Sequence, residues 1–487
     1  MSASVAGTLS MLFYVAIILV PGASLLKDPD TFWHIRTGEW IIDSWRFPVV
    51  DSYSYTSGGQ RWISGEWLSE ILFFAAYKFG GWHGVVALSA AAIAGTIGII
   101  SFYLLRYLRL SLAIAWAALT ALAISSHFLA RPHVFSYVLL SVWLIILLET
   151  CDRDRFRPPA VILAAMIVLW SNVHPSFTFG LFLLCIFAGW NCLEKVLQRR
   201  YAECRWPVFV IFIVASASLV NPYGFSVALL SLDVVHYHFA LRYVSEWASP
   251  NFQSDKIHLI MLVVLFSGMA GLGIRLNGPK LIAFIAVTYL GMTHTRGLTT
   301  FFLLVPLILA RPLSAQVAWC RAEGSVEDRL PDRTARPDPV LLFLRRRFLA
   351  IPSVFFLLAA IATAASWRYL KIHPDASIAP KEAIDFVRKE GIGGNVLNSY
   401  AFGGYLIFSH IPTFVDGRML PFSDDFISRF AGALALTDIN DSFKLLDDYK
   451  VRWTMLLPGE PLVKALAESK SWDKRYADEH AVVFVRR

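Results

Sequence analysis

The chain has 487 residues, of which 56% are hydrophobic and 16% are charged. A typical soluble domain is about 45–50% apolar and about 25% charged, so this composition excludes a disordered protein, a coiled coil and a disulfide scaffold, and disfavours an ordinary soluble enzyme. The net charge of +8 lies entirely before residue 367, because residues 367–487 contain 16 basic and 16 acidic residues. We therefore expect a polytopic α-helical membrane domain, residues 1–366, followed by a small α/β domain, residues 367–487.

Apolar stretches long enough to cross a bilayer recur through the first domain. The first stretch, residues 5–26, precedes every Lys and Arg and is too long for the core of a signal peptide, so we expect it to remain as a membrane helix. About eleven spans are predicted, at roughly residues 6–26, 84–105, 110–128, 134–150, 159–172, 176–197, 207–220, 257–274, 280–293, 298–311 and 348–366.

The distribution of Lys and Arg between alternate loops predicts the orientation of these spans. One set of loops contains 19 basic residues and the other contains 9, provided that Glu66–Phe79 does not cross the membrane. That segment is either a twelfth span or an amphipathic helix on the surface, and the charge bias favours the surface helix. We expect a multi-pass protein of the bacterial inner membrane, with a cytoplasmic N-terminus and a C-terminal domain that is extracytoplasmic and therefore periplasmic.

The first outer loop, residues 27–83, contains interfacial helices and the most informative polar motif. Asp28-Pro29-Asp30 directly follows the first span, with His34 one helical turn further on and Glu66 later in the loop. Two carboxylates on either side of a proline can bind a divalent cation such as Mg²⁺ or Mn²⁺, or one of them can act as a general base toward a hydroxyl group. The structural alternative is that they cap the following helix. We favour catalytic roles for Asp28, Asp30 and Glu66, with His34 near the acceptor.

Later outer loops supply cations and a further carboxylate. Arginine binds phosphate oxygens in bidentate contacts, so carboxylates on one loop and Arg or His on others are what a phosphate-linked donor requires. The alternative is that these side chains anchor helices at headgroup depth. The candidate ligands of a donor phosphate are Arg131, His133, His174 and Arg296, and Glu246 is a candidate for contact with the acceptor.

The C-terminal domain has an alternating α/β pattern. Asp416 and Arg418 follow a predicted strand, where loops of α/β folds often bind ligands, and a turn ion pair is the structural alternative. We expect this domain to close over the membrane cavity and to help select the acceptor. The predicted helices are 380–391, 441–449 and 461–468, and the predicted strands are 395–397, 413–415, 453–457 and 480–485.

An acidic motif in the first outer loop, about eleven spans and a C-terminal extracytoplasmic domain together resemble the GT-C superfamily of membrane glycosyltransferases. This superfamily includes protein O-mannosyltransferases, aminoarabinose transferases of lipid A and oligosaccharyltransferases. The resemblance implies a polyprenyl-phosphate sugar donor, transfer on the outer face, and a first-loop aspartate, here Asp28 or Asp30, that serves as base or metal ligand. The sequon-binding motifs of oligosaccharyltransferases are not evident, so protein N-glycosylation is disfavoured.

These observations predict a glycosyltransferase that moves a sugar from a polyprenyl-phosphate donor to an envelope lipid, glycan or protein. One alternative is a non-enzymatic transporter or flippase of lipid-linked glycans, and another is a glycan ligase or polymerase. The expected partners are the lipid-linked sugar, the envelope acceptor and the lipid bilayer. A nucleic acid is not among them, because the positive charge reads as an orientation signal.

Overall fold

The computed structural model describes residues 2–19, 22–153, 156–233, 239, 246–322, 361 and 363–487. The part before residue 370 is helical wherever it is regular, and the part after it combines helices with one sheet. The helices of the first part are α1 Ser2–Leu19, α2 Asp30–Ser44, α3 Trp67–Tyr107, α4 Leu110–Ile124, α5 His133–Cys151, α6 Ala160–Val173, α7 Phe177–Leu197, α8 Arg205–Ala217, α9 Ser226–Asp233, α10 Lys256–Gly271, α11 Gly278–Thr293 and α12 Thr295–Gln316.

The apolar helices make this a multi-pass membrane protein. Five helices in the described residues are long and apolar enough to cross a bilayer, at 67–107, 110–127, 133–151, 177–197 and 295–316. Four more apolar helices are shorter, at 4–19, 160–173, 256–271 and 278–293. Each overlaps a predicted span, although the helix 67–107 begins 17 residues before the predicted span 84–105 and the helix 4–19 ends 7 residues before residue 26. The count of eleven stays a prediction. Most of the span expected at 348–366 lies outside the described residues.

A kink divides α3 into two segments. Gly81 has a φ of 54° and a ψ of −148°, a backbone conformation that side-chain-bearing residues rarely adopt. The segment before Gly81 packs on α2, where Gly38 lies against Glu70, and the segment after it packs on α1, where Gly98 lies against Ser10. This break is what a surface helix that turns into a membrane span requires. That Glu66–Phe79 does not cross the membrane stays a prediction, and the kink is consistent with it.

The core of the helical part forms around α3 and α12. α12 is apolar around most of its circumference, with Phe301, Leu304 and Leu307 fully buried, and it packs against α3, α4, α5 and α11. A helix that is apolar on all sides belongs in the middle of a bundle. The polar ends of α2, α5, α6 and α12 carry the residues of the candidate site described below.

The C-terminal part contains a four-stranded mixed sheet. The strand order is β1-β2-β4-β3, with β1 parallel to β2 and the other pairs antiparallel. Successive side chains alternate between two apolar layers, so Val396 and Met455 face one layer and Leu397 and Leu456 face the other. The elements are α13 Lys381–Lys389, β1 Asn395–Asn398, α14 Gly403–Phe408, α15 Asp424–Leu434, α16 Ile439–Asp448, β2 Val451–Leu456, α17 Pro461–Glu468, β3 Trp472–Ala477 and β4 Val482–Arg486.

Several elements of this part differ from the sequence prediction. The predicted strand at 413–415 was wrong, because Thr413 forms only an isolated bridge with Ser54, in the first loop. Its neighbour Phe414 donates its amide hydrogen to the side-chain oxygen of Asn398 instead of to a sheet partner. The helices α14 and α15 and the strand β3 were not predicted. The other predicted elements agree with the structure to within a few residues.

The C-terminal part packs directly on the first loop. The ring of Tyr405 in α14 lies 5.1 Å from the ring of Phe32 in α2, centroid to centroid, and Ile407 packs with Trp33 and Trp62. A Cβ atom at Gly404 would overlap the carbonyl oxygen of Pro29, so only glycine permits this approach. The motif Asp28-Pro29-Asp30 therefore lies between the helical part and the sheet.

Candidate functional site

Arg131 joins three carboxylates at the start of α2. Its Nη1 lies 3.0 Å from Asp28 Oδ2 and 3.0 Å from Glu246 Oε1, and its Nη2 lies 2.8 Å from Asp30 Oδ2. Asp28 and Asp30 occur two residues apart in the sequence, and Pro29 between them enters the helix with a φ of −65°. We call Asp28, Asp30, Arg131 and Glu246 the Arg131 cluster.

The two aspartates of the cluster differ in what holds their other oxygen. Asp28 Oδ1 accepts a hydrogen bond of 2.8 Å from the backbone amide of Asp30, which satisfies a free amide at the start of α2. Asp30 Oδ1 accepts one of 3.0 Å from the indole Nε1 of Trp33. The N-cap residue of α2 is Pro29, and Asp28, one residue earlier, bonds to an amide of the first turn, much as the capping alternative expected. Asp30, in contrast, is held by side chains.

Burial and charge act in opposite directions on the carboxylates of this cluster. Burial raises the pKa of Asp30 above its usual value, although Arg131 opposes the shift. Burial would also raise the pKa of Glu246, but Arg131 and Arg296 outweigh it and hold that pKa at about 2. At neutral pH, Glu246 is therefore ionised, and Asp30 is a carboxylate that can gain and lose a proton.

Glu66 lies between two histidines. Its Oε1 is 3.1 Å from Nε2 of His174, and its Oε2 is 3.7 Å from Nε2 of His34. The other ring nitrogen of His34 lies 3.4 Å from Oε1 of Glu70, and Oε2 of Glu70 accepts a hydrogen bond from Ser64. The Glu66 side chain is 21% exposed and His34 is 1% exposed, so Glu66 is the accessible member. We call His34, Glu66, Glu70 and His174 the Glu66 cluster.

The Glu66 cluster is poised to exchange protons near neutral pH. Burial raises the pKa of Glu66 to about 7, against opposing effects of Arg131 and Arg296. Burial also lowers the pKa of His34 and of His174 well below the usual value for histidine. Both rings are therefore neutral at pH 7, and Glu66 is divided between its two protonation states.

Arg296 is the most accessible cation at this site. Its side chain is 28% exposed, its Nε lies 3.7 Å from Glu246 Oε2, and its guanidinium lies 5.8 Å from the centre of the Trp247 ring. Its backbone amide donates to the carbonyl oxygen of Glu246 at 3.0 Å, which fixes the start of α12 beside the Arg131 cluster. Because its ion pair with Glu246 is long, Arg296 can still bind an anion.

His133 belongs to neither cluster. Its Nε2 donates to the backbone carbonyl of His127 at 2.9 Å, its ring packs 5.2 Å from that of Tyr137, and only 5% of the residue is exposed. Nδ1 is buried and has no hydrogen-bond partner among the described residues. The structure therefore places the expected phosphate ligand His133 in the packing between helices, with its Nε2 already bonded to the His127 carbonyl.

Asp416 and Arg418 are wholly inside the protein. Arg418 donates from Nε and Nη2 to the two oxygens of Asp416, and from Nη1 to Oδ1 of Asp51, each at 2.7 Å. Its guanidinium lies 5.0 Å from the ring centre of Tyr53 and 4.7 Å from that of Trp62. None of the three charged side chains is exposed, so an acceptor cannot touch Asp416 or Arg418 in this arrangement. The turn ion pair is present, extended by the first-loop residues Asp51, Tyr53 and Trp62, whose part in it the sequence did not reveal.

Comparison with known proteins identifies the fold. No family model and no curated protein matches the sequence. Among solved structures, the oligosaccharyltransferase AglB of Archaeoglobus fulgidus, in complex with an inhibitory peptide and a dolichol-phosphate, superposes with a TM-score of 0.51 at 11% identity, over 93% of this chain and 69% of that chain. The same enzyme with Zn and sulfate gives a TM-score of 0.50 at 12% identity, over 94% and 68%. The chain has a GT-C fold.

A second solved structure of this group is ArnT of Cupriavidus metallidurans bound to undecaprenyl phosphate. It matches with a TM-score of 0.48 at 15% identity, over 97% of both chains. At these identities the comparisons establish the fold. The resemblance to GT-C membrane glycosyltransferases predicted from the sequence is confirmed at that level.

The carboxylates of this GT-C fold do not fit a divalent cation as they stand. Both oxygens of Asp28 and both of Asp30 already accept hydrogen bonds or pair with Arg131, and a cation would have to displace its guanidinium. Among the described residues, no group of three or more His, Cys, Asp or Glu side chains could hold a metal ion. The described residues therefore offer no set of ligands for the predicted Mg²⁺ or Mn²⁺ ion. The positive charge beside the two aspartates is that of Arg131.

Proposed function

We propose that the protein is a membrane glycosyltransferase that moves a sugar from a polyprenyl-phosphate donor to a hydroxyl group of an envelope acceptor on the extracytoplasmic face. The observation that carries the proposal is the meeting of the Arg131 cluster, the Glu66 cluster and the partly free Arg296 at the polar ends of α2, α5, α6 and α12. The solved archaeal oligosaccharyltransferase with the same fold holds a dolichol-phosphate, which supports a lipid-phosphate donor.

The proposed reaction assigns one task to each group. The acceptor oxygen attacks the anomeric carbon, the bond from that carbon to the phosphate oxygen breaks, and the electron pair leaves with the phosphate. Asp30 accepts the hydroxyl proton, because its raised pKa suits a general base and its oxygens are held by side chains. Arg296 binds the departing phosphate. Asp28 and Glu246 hold Arg131 in place. Glu66, in its ionised form, accepts a hydrogen bond from the acceptor.

Release of free polyprenyl phosphate tests the proposal against a transporter. We expect purified protein in detergent, given a radiolabelled polyprenyl-phosphate sugar and an envelope extract, to release the lipid phosphate and to label the extract. A flippase breaks no bond. If the protein moved the donor across a proteoliposome membrane and released no lipid phosphate, the proposal would be overturned. Labelled products that lengthen by whole oligosaccharide units would instead indicate a ligase or polymerase.

The rate of transfer is expected to rise steeply with pH up to about 7. Asp30 and Glu66 both have pKa values raised by burial, and both must be ionised to act, so the logarithm of kcat/KM should fall with a slope near two on the acid side. In Glu66→Gln the slope should drop to about one. Glu39→Gln, which changes a half-exposed glutamate of α2, is the matched control and should keep the wild-type slope. A slope of one in the wild-type protein would contradict the claim that both Asp30 and Glu66 must be ionised.

Chelation is expected to leave the reaction almost unaffected. Arg131 already supplies the positive charge beside Asp28 and Asp30, so transfer after treatment with EDTA should stay within about twofold of the untreated rate. The assay is the release of polyprenyl phosphate before and after dialysis. Loss of activity that Mg²⁺ or Mn²⁺ restores would show that a cation takes part and that Arg131 moves to admit it.

Gly417 is expected to be essential for the position of Asp30. A Cβ atom at Gly417 would overlap Oδ1 of Asp30, the oxygen that bonds to Trp33, so Gly417→Ala must displace that carboxylate or the chain at residue 417. A displacement of about 1 Å at a catalytic group can cost a hundredfold in rate, and we expect at least about a tenfold fall in kcat. Gly459→Ala has open space around its added atom and serves as the control. An unchanged kcat in a folded Gly417→Ala variant would show that this contact of the C-terminal part with Asp30 is not needed for catalysis.

A further inference from the structure

A charged cavity lies near the start of α6, at the opposite end of that helix from the candidate site. It has a volume of about 470 Å³ and is bordered by Arg157, Lys195, Arg205, Asn191, Trp206 and Phe209. α6 runs from Ala160 beside this cavity to Val173 beside His174, and its 14 residues span about 20 Å. The cavity is thus separate from the Arg131 and Glu66 clusters.

The charges of this cavity favour an anion. Three cations and one carboxylate, Glu203, line it. Lys195 is only 7% exposed, with Nζ 3.7 Å from Glu203 Oε2, so a positive charge is built into the wall. Arg157 and Arg205 are exposed and can turn toward a ligand. A doubly basic opening beside a buried ammonium group suits a phosphate.

An apolar groove continues from the same cavity. It has a volume of about 460 Å³ and lies between α6 and α8, bordered by Ala160, Ala164, Val168, Phe209 and Ile213. Phe209 borders both spaces, so a polar head in the first would lead directly into an apolar chain in the second. Small alanines on α6 leave the room for that chain, because the larger side chains along the groove come mainly from α8.

We propose that the cavity and groove together bind one anionic phospholipid of the bilayer, with its phosphate among Arg157, Lys195 and Arg205 and an acyl chain along α6 and α8. The basic loops here belong to the face predicted to be cytoplasmic, and basic pockets between membrane helices on that face bind lipid headgroups. Bilayer phospholipid is the occupant, rather than the polyprenyl-phosphate donor, because the clusters that would act on a donor lie at the opposite end of α6.

Native mass spectrometry of the purified full chain in detergent, titrated with phosphatidylglycerol, tests this site. The wild-type protein should retain one molecule, and it should bind phosphatidylcholine of the same acyl chains at least about tenfold more weakly. Arg157→Gln/Arg205→Gln and the groove-filling Ala164→Phe should each weaken phosphatidylglycerol binding about tenfold. Arg199→Gln/Arg275→Gln removes the same charge from exposed residues outside the cavity and should bind as the wild type does.

Three results would overturn the assignment. Equal affinity for phosphatidylglycerol and phosphatidylcholine would show that the cavity does not recognise an anionic headgroup. Wild-type affinity for phosphatidylglycerol in both cavity variants would show that the lipid binds elsewhere. Displacement of phosphatidylglycerol by an equimolar amount of undecaprenyl phosphate would make the donor the occupant. Arg296→Gln, at the proposed donor phosphate site, should bind phosphatidylglycerol normally, so this site can be correct even if the proposed transfer reaction is not.

Discussion

Replacing Asp30 by asparagine is expected to lower the rate of sugar transfer at least about a hundredfold, because a general base contributes roughly 10²–10⁴-fold to such a step. Asparagine has nearly the same shape, and its single amide oxygen can accept from either Trp33 or Arg131. Asp28 still accepts from the first amide of α2, so the start of α2 should keep its structure. The effect should appear in kcat, with little change in KM, because the carboxylate acts on the proton and not on binding. The measurement is the initial rate of polyprenyl-phosphate release.

Asp43→Asn is the matched control for this change. Asp43 belongs to the same helix but is exposed and distant from the Arg131 cluster, so its variant should transfer at the wild-type rate. Asp28→Asn should lose less activity than Asp30→Asn, since one Asp28 oxygen only caps α2. If Asp30→Asn retained full activity while Asp28→Asn lost it, the base would be Asp28 and the assignment within the pair would be reversed.

Replacing Arg418 by methionine is expected to have the largest effect on stability. The change leaves Asp51 and Asp416 buried without their cation, and breaking a buried ion pair from one side costs about 3–5 kcal/mol. The cation–π contacts with Tyr53 and Trp62 are lost as well. Because Asp51 belongs to the first loop and Asp416 to the sheet part, the contact between them should loosen. Limited proteolysis of the C-terminal part during a urea titration measures this.

The exposed residue Arg429 provides the control for Arg418. It pairs with Asp441 and Asp448 at the surface, with 32% of its side chain exposed, and such pairs contribute about 0–1 kcal/mol. Arg429→Met should therefore change the urea midpoint little. Arg418→Lys should lie between the two, because lysine keeps the charge but cannot bridge both carboxylates. Equal urea midpoints for Arg418→Met and Arg429→Met would show that the buried cluster does not join the two parts.

Local signals in the sequence predicted many of the elements. Pro461 marks the first residue of α17, and the predicted bounds 461–468 agree with the structure. The short apolar run that became β1 was also predicted. The same reasoning failed at Thr413–Val415, where β-branched and aromatic residues suggested a strand. There the backbone bonds to Asn398 and to the first loop, a tertiary contact that no local propensity contains.

The grouping of polar residues was predictable, but their pairing was not. Loop charge placed Asp30, Glu66, Arg131, Glu246 and Arg296 on one face. The structure brings the first four into the two adjoining clusters and places Arg296 beside Glu246. That Arg131 should lie among three carboxylates depends on contacts 103 and 115 residues apart in the chain. The Asp51–Arg418 contact spans 367 residues, so a role at the acceptor was as consistent with the sequence as a buried ion pair.

An electron cryo-microscopy map of the purified protein with a non-hydrolysable polyprenyl-phosphate sugar bound tests the central claim most directly. The proposed reaction predicts the donor phosphate within hydrogen-bond distance of Arg296, with the anomeric carbon facing Asp30 and Glu66 across the space left for the acceptor. The matched sample of Asp30→Asn should bind the donor in the same place. A donor phosphate bound instead among Arg157, Lys195 and Arg205, with no phosphate beside Arg296, would contradict the proposed site of transfer.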